Sequence, residues 1–66
     1  MIVKINGKDQ AVDKILNLQE LVKSKGLSPE RIVLEHNFRI VPREEWGNIS
    51  LREKDSIEIV SFVGGG

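Results

Sequence analysis

Ile2-Val3-Lys4-Ile5-Asn6-Gly7 is a β-branched run that alternates and then halts at an Asn-Gly pair. A period of two puts Val3 and Ile5 on one face of a strand and Ile2 and Lys4 on the other. Asn-Gly is the strongest short-range hairpin signal, because a type I′ turn needs positive φ at both central residues. The chain therefore turns back at once, and the returning strand runs over about Asp9 to Val12. A hairpin at the head of a short chain needs a partner to cover its apolar face, and the next segments supply one.

Asn17 can cap a helix, with Glu20 three residues later as an Asn variant of the capping box. Leu18, Leu21 and Val22 then fall on one helical face. Lys23 and Lys25 suit the C-terminal end of the dipole, and Gly26 fits the left-handed position after it, which lets Leu27 fold back. The spacing predicts a helix over Leu18 to Lys25. Ser28-Pro29 begins a turn into a third strand, Arg31 to His36, with Ile32 and Leu34 on one face and Val33 and Glu35 on the other. Asn37-Phe38-Arg39 is a tight connection to a short fourth strand, Ile40-Val41, which ends before Pro42. Arg43-Glu44-Glu45-Trp46 reads as one helical turn. The last strand is Ser56 to Val63, with Ile57 and Ile59 toward the core and Glu58, Val60 and Phe62 on the opposite face.

The order is β-β-α-β-β-β, an α+β fold. One helix must cover one face of a mixed sheet of four to five strands, because no other element can bury the sheet's apolar side. Each half is a hairpin, so the first and last strands can meet in the middle as a parallel pair. That arrangement is the ubiquitin-like β-grasp, expected over residues 1–63.

Composition narrows the function. A chain of 66 residues holds one small core, and its stability has to come from that core because it has no cysteine for disulfides. The same absence removes thiolate metal sites and any catalytic thiol, and one histidine is too few for a zinc site without a carboxylate cluster. Ten basic and ten acidic residues cancel and are interspersed, which leaves no electrostatic footprint for nucleic acid or an anionic membrane. No apolar run approaches the roughly 20 residues that span a bilayer. The first residues lack the charged-then-apolar order of a signal peptide, so a cytoplasmic protein is expected.

The last strand leads directly into Gly64-Gly65-Gly66. Residues without side chains gain no packing and lose the most entropy on ordering, so a flexible arm over residues 64–66 is expected. Extended, it reaches roughly 10 Å. Such an arm is narrow enough to carry a carboxylate into a buried nucleotide site, where a Cβ would obstruct the approach of backbone amides. A carboxylate is a poor acyl donor until it is joined to AMP. Once adenylated, its carbonyl can be attacked by a sulfur nucleophile. Glycines alone say little, but glycines after a β-grasp strand are a specific combination.

The chain resembles the ThiS family along its whole length. The likeness runs through Ile5-Asn6-Gly7, Leu18-Gln19-Glu20-Leu21-Val22 and Gly26-Leu27-Ser28-Pro29-Glu30-Arg31. It continues through Ile40-Val41-Pro42-Arg43-Glu44-Glu45-Trp46 and Asp55-Ser56-Ile57-Glu58-Ile59-Val60 to Val63-Gly64-Gly65-Gly66. The Val-Pro-Arg-x-x-Trp segment is the most distinctive. Three scaffold positions depart from the family pattern. Ile15-Leu16 stands where Gly or Thr is common, Phe38 where Gly often follows the turn Asn, and Lys54 where Gly usually precedes Asp55.

The resemblance implies a sulfur carrier of thiamin biosynthesis that is not itself an enzyme and has no catalytic or metal-binding residue. A ThiF-type adenylyltransferase would use ATP and magnesium to adenylate the carboxylate of Gly66. A persulfide sulfur donor would convert the adenylate to a thiocarboxylate, and a thiazole synthase would take the sulfur. The carrier binds no cofactor itself and is expected to be a monomer when free. Val60 and Phe62, with Val33 and Ile2, would lie on the open sheet face and dock the partners.

Other residues read as structural. His36 sits at a strand end without a nucleophile partner, and Trp46 supplies volume to a core with few aromatics. Arg43, Glu44, Glu45, Arg52, Glu53 and Lys54 form a mixed-sign solvated surface. The alternatives are a sulfur carrier for molybdopterin synthesis or tRNA thiolation, a ubiquitin-like protein modifier, and a plain interaction module.

Overall fold

In the computed structural model, which describes residues 1–13 and 17–62, the chain reverses at Asn6 and Gly7. Their φ values of 52° and 83° are the positive pair the turn requires. The turn joins strand β1 (Ile2–Ile5) to strand β2 (Lys8–Ala11), with Ile5 opposite Lys8 and Ile2 opposite Ala11. The return strand starts and ends one residue earlier than the alternation suggests. Val12, just past the strand, still exchanges backbone hydrogen bonds with Met1 and is buried in the core.

Helix α1 (Leu18–Ser24) begins where expected, and the Asn17 side chain accepts the Glu20 amide at 2.9 Å. It ends one residue short of Lys25, in a Schellman motif. The amide of Gly26 (φ 69°) donates to the Lys23 carbonyl, and that of Leu27 donates to the Val22 carbonyl. Leu18, Leu21 and Val22 are fully buried, and Leu27 packs against the core from its edge. The helix start is also held by the segment after Trp46, because the Leu18 amide donates to the Ile49 carbonyl at 3.1 Å.

A 3₁₀ turn at Pro29–Arg31 leads into β3 (Ile32–His36), and Asn37 and Phe38 (φ 51° and 70°) turn the chain into β4 (Arg39–Ile40). This is a second two-residue hairpin with positive φ at both turn positions. Val41, expected within the fourth strand, lies just past it. It still donates its amide to the Leu34 carbonyl and is buried. Arg43–Asn48 is a 3₁₀ segment longer than the single turn expected. Its Trp46 is 3% exposed and donates its indole N–H to the Val41 carbonyl at 3.0 Å. The ring thus closes one end of the core with its polar atom satisfied.

Strand β5 (Ser56–Ser61) completes a five-stranded sheet in the order β2-β1-β5-β3-β4. β1 and β5 are parallel, whereas β3 and β5 are antiparallel, from Ile32 opposite Ser61 to His36 opposite Ile57. The first and last strands therefore meet in the middle of a β-grasp. Val3, Ile5, Ile32, Leu34 and Ile57 form the sheet's contribution to the core, and Leu51, from the loop before β5, joins them. No helix among the described residues is long and apolar enough to cross a membrane.

Candidate functional site

The candidate site is the C-terminal end of β5 and the sheet face around it. β5 is the central strand, and its position is fixed from both sides. On one side β1 stops at Ile5, and the Asn6 side chain takes over the pairing. Its Oδ1 accepts the Ile59 amide at 2.7 Å and its Nδ2 donates to the Ile59 carbonyl at 3.2 Å. On the other side Asn37 Oδ1 accepts the Ser56 amide at 2.9 Å, and the Asn37 amide donates to the Ser56 carbonyl at 2.7 Å. Both turn asparagines thus serve the neighbouring strand as well as their own turns. Alternation and turn preference disclose only the second role.

Beyond Ser61 the ladder continues, and the Phe62 amide donates to the Arg31 carbonyl at 3.0 Å. The chain is therefore held up to the last described residue, at the exposed end of the central strand. Gly64, Gly65 and Gly66, expected to carry the chemistry, lie outside the described residues, as do Val63 and Ile15-Leu16.

The face away from α1 carries the residues expected to dock partners. Val33 and Val60 stand directly opposite one another, 39% and 56% exposed, and Phe62 follows on the same side. Ile2 shares the face but not the neighbourhood. Lys4 is level with Ser56, so Ile2 is level with Lys54, six positions back from Val60 and about 20 Å away along the strand. Ile40, not singled out by sequence reading, lies opposite Glu35 and so joins the Val33–Val60 side. The pairing of the short edge strand decides this, and the signal for it is the alternation of exposed Ile40 with buried Val41.

His36 is part of a clasp. Its Nε2 lies 2.9 Å from Asp55 Oδ2, which also accepts the Arg52 amide at 2.8 Å, while Asn37 Nδ2 donates to Oδ1 at 3.2 Å. Burial pushes the Asp55 carboxyl up. Hydrogen bonds from His36, the Arg52 amide and Asn37, together with the His36 charge, outweigh that and hold its pKa below the ordinary carboxylate value. The clasp ties the β3–β4 turn to the turn before β5. Among the described residues no hydroxyl hydrogen-bonds His36, and no three metal-ligating side chains gather in one place. The mixed-sign surface holds two exposed ion pairs, Arg39 to Glu45 at 3.3 Å and Arg43 to Glu30 at 3.9 Å, each contributing little.

The profile of the ThiS family matches residues 3–66. The chain belongs to the ThiS family. The sulfur carrier protein ThiS of Bacillus subtilis is 36% identical, and the match covers 98% of this chain and all of that one. The crystal structure of the thiamine biosynthesis protein ThiS from Geobacter metallireducens superposes with a TM-score of 0.84 at 30% identity over the full length of both chains. A thiazole synthase of Magnetococcus marinus is 35% identical over all 66 residues, and this chain spans 20% of it. A ThiS-like segment is thus one part of that longer protein.

Of the three departures from the ThiS pattern, the two within the described residues, Phe38 and Lys54, have φ of 70° and 69°. Both stand in the left-handed region where glycine is at ease, so each side chain there carries a backbone cost that glycine would avoid.

Proposed function

We propose that this chain is a sulfur carrier of thiamin biosynthesis, working through the carboxylate of Gly66. The observation that carries the reading is the end-to-end match to a ThiS sulfur carrier, on a fold whose central strand runs toward the terminal glycines. Strand β5 is bonded along both edges, and the chain is held as far as Phe62.

The cycle begins at the partner's nucleotide site. A ThiF-type adenylyltransferase joins the Gly66 carboxylate to AMP with release of pyrophosphate, using ATP and magnesium. The terminal sulfur of a persulfide attacks the acyl carbon, and AMP leaves with the electrons of the broken C–O bond. A thiol of the donor system then cleaves the S–S bond of the resulting acyl disulfide, ending itself in a disulfide, and a thiocarboxylate remains. Thiazole synthase takes the sulfur, and the carrier leaves with its carboxylate restored. The carrier contributes a docking surface and a narrow acyl end. It catalyses nothing and holds no cofactor, and it serves these ATP-using partners in the cytoplasm. Named relatives that are thiazole synthases with a ThiS-like segment support that partnership.

The test is an intact mass after incubation with the adenylyltransferase, ATP, magnesium and sulfide. Replacement of one oxygen by sulfur, mapped to the C-terminal peptide, is the expected result, and deletion of Gly65 and Gly66 abolishes it. An unchanged mass with an adenylyltransferase that is active on its own carrier refutes the reading. Isopeptide conjugates to lysine in cells, without a thiocarboxylate, would replace it with protein modification.

A further inference from the structure

Glu35 and Glu58 stand directly opposite one another on the open face, beside the Val33–Val60 pair. Like charges in register destabilise a sheet. Neither carboxylate has an ion-pair or hydrogen-bond partner among the described residues. Lys4, on the same face, lies opposite Asp9 and level with Ser56, two positions short of Glu58, and forms no ion pair with either glutamate. Ile40, 63% exposed, flanks Glu35 on the edge strand. At the tip of the same hairpin, Phe38 is 85% exposed in a left-handed backbone. A bulky aromatic that is both strained and solvated gains nothing for the isolated fold, and strain of this kind collects at sites of interaction.

We propose that Glu35 and Glu58 determine docking specificity by accepting a basic side chain that a protein partner presents between apolar ones, with Phe38 as an aromatic anchor at the edge. The carboxylates call for a cation, and the valines and Ile40 around them call for apolar contact that strips the water from it. A second copy of this chain is the wrong occupant. A two-fold interface centred on Val33 and Val60 brings the same carboxylates of both copies together. The occupant is the thiazole synthase, because relatives of this chain are thiazole synthases that carry a ThiS-like segment on the same polypeptide, and its docking patch is accordingly basic at its centre. The proposal rests on the sulfur-carrier reading.

The experiment titrates the cognate thiazole synthase against the full-length chain at low and high salt, by calorimetry, with thermal melts of every variant. Glu35→Gln/Glu58→Gln is expected to weaken binding roughly tenfold at low salt, to flatten the salt dependence and to melt no lower than wild type. Phe38→Gly is expected to weaken binding by a similar factor, roughly tenfold, while melting higher. That combination separates an anchor from a residue that merely supports the fold. Unchanged affinity and salt dependence in the double variant overturns the proposal. So does a wild-type dimer in sedimentation that the same substitutions alter, since the face then serves a second copy. A wild type that gains sulfur at its C-terminus but does not bind the synthase overturns the docking alone. One that does neither overturns the carrier reading with it.

Discussion

Replacing Lys54 by glycine should make this protein more stable. Lys54 is the third residue of the turn Arg52 to Asp55, in which the Asp55 amide donates to the Arg52 carbonyl at 3.1 Å. Its φ of 69° is the value that position of a type II turn demands. A left-handed conformation costs a residue with a Cβ roughly 1–2 kcal/mol. Glycine relieves this but loses more freedom on folding, a cost of roughly 0.5–1 kcal/mol. The side chain is exposed and its ammonium forms no hydrogen bond or ion pair among the described residues, so truncation removes little else there. The backbone bond from the Lys54 amide to the Ile2 carbonyl, 2.7 Å, is kept. The net gain is about 0.5–1 kcal/mol. For 66 residues the unfolding entropy is about 0.14 kcal/mol per degree, so Tm should rise by roughly 4–7 °C. Lys54→Ala keeps the Cβ and should stay within about 0.5 kcal/mol of wild type. Thermal melts by circular dichroism, with urea unfolding as a second measure, decide the matter. A Lys54→Gly variant that melts at or below wild type, or an alanine variant that gains as much, would refute the backbone argument.

Asp55→Asn should destabilise the fold near neutral pH, and the effect should depend on pH in one direction. The folded carboxyl titrates below its ordinary value of 3.8, so its contribution is complete above that pH and is lost as pH falls through the lower folded value. In urea unfolding the gap between wild type and variant should narrow in acid, and a constant gap contradicts the assignment. Asn6→Gly leaves the turn free to form but removes both bonds to Ile59, which should lower stability by about 1–2 kcal/mol and speed hydrogen exchange at the Ile59 amide. Trp46→Ala should cost roughly 3–5 kcal/mol, enough to unfold much of a domain this small. Trp46→Phe, which loses the bond to Val41 but keeps most of the volume, should remain folded by near-UV and far-UV dichroism.

Much of the fold was legible because its signals are local. Asn6-Gly7 specified the first turn through φ alone. Asn17, Glu20 and Gly26 bracketed the helix through its unpaired end groups, so its limits fell within one residue. The alternation of Ile32 to Glu35 and of Ile57 to Val60 assigned each strand's two faces, apart from ends that pairing trims. Phe38 and Lys54 stood out as residues where glycine was expected, and the structure supplies the reason in their φ values.

By itself the sequence determined the element order, the core-facing residues and the capped helix, since each depends on residues close together in the chain. The tertiary structure decided what depends on pairing between distant segments. The register of β3 against β5 set Glu35 opposite Glu58 and Val33 opposite Val60. The register of β1 against β5 carried Ile2 away from them. The end of β1 left Ile59 for Asn6 to bind, and the approach of two turns gave Asp55 its partners. An alternating strand pattern says which way a side chain faces. Only the closure of the sheet, in which one residue of slip would move every side chain to the other face, says which residues it meets.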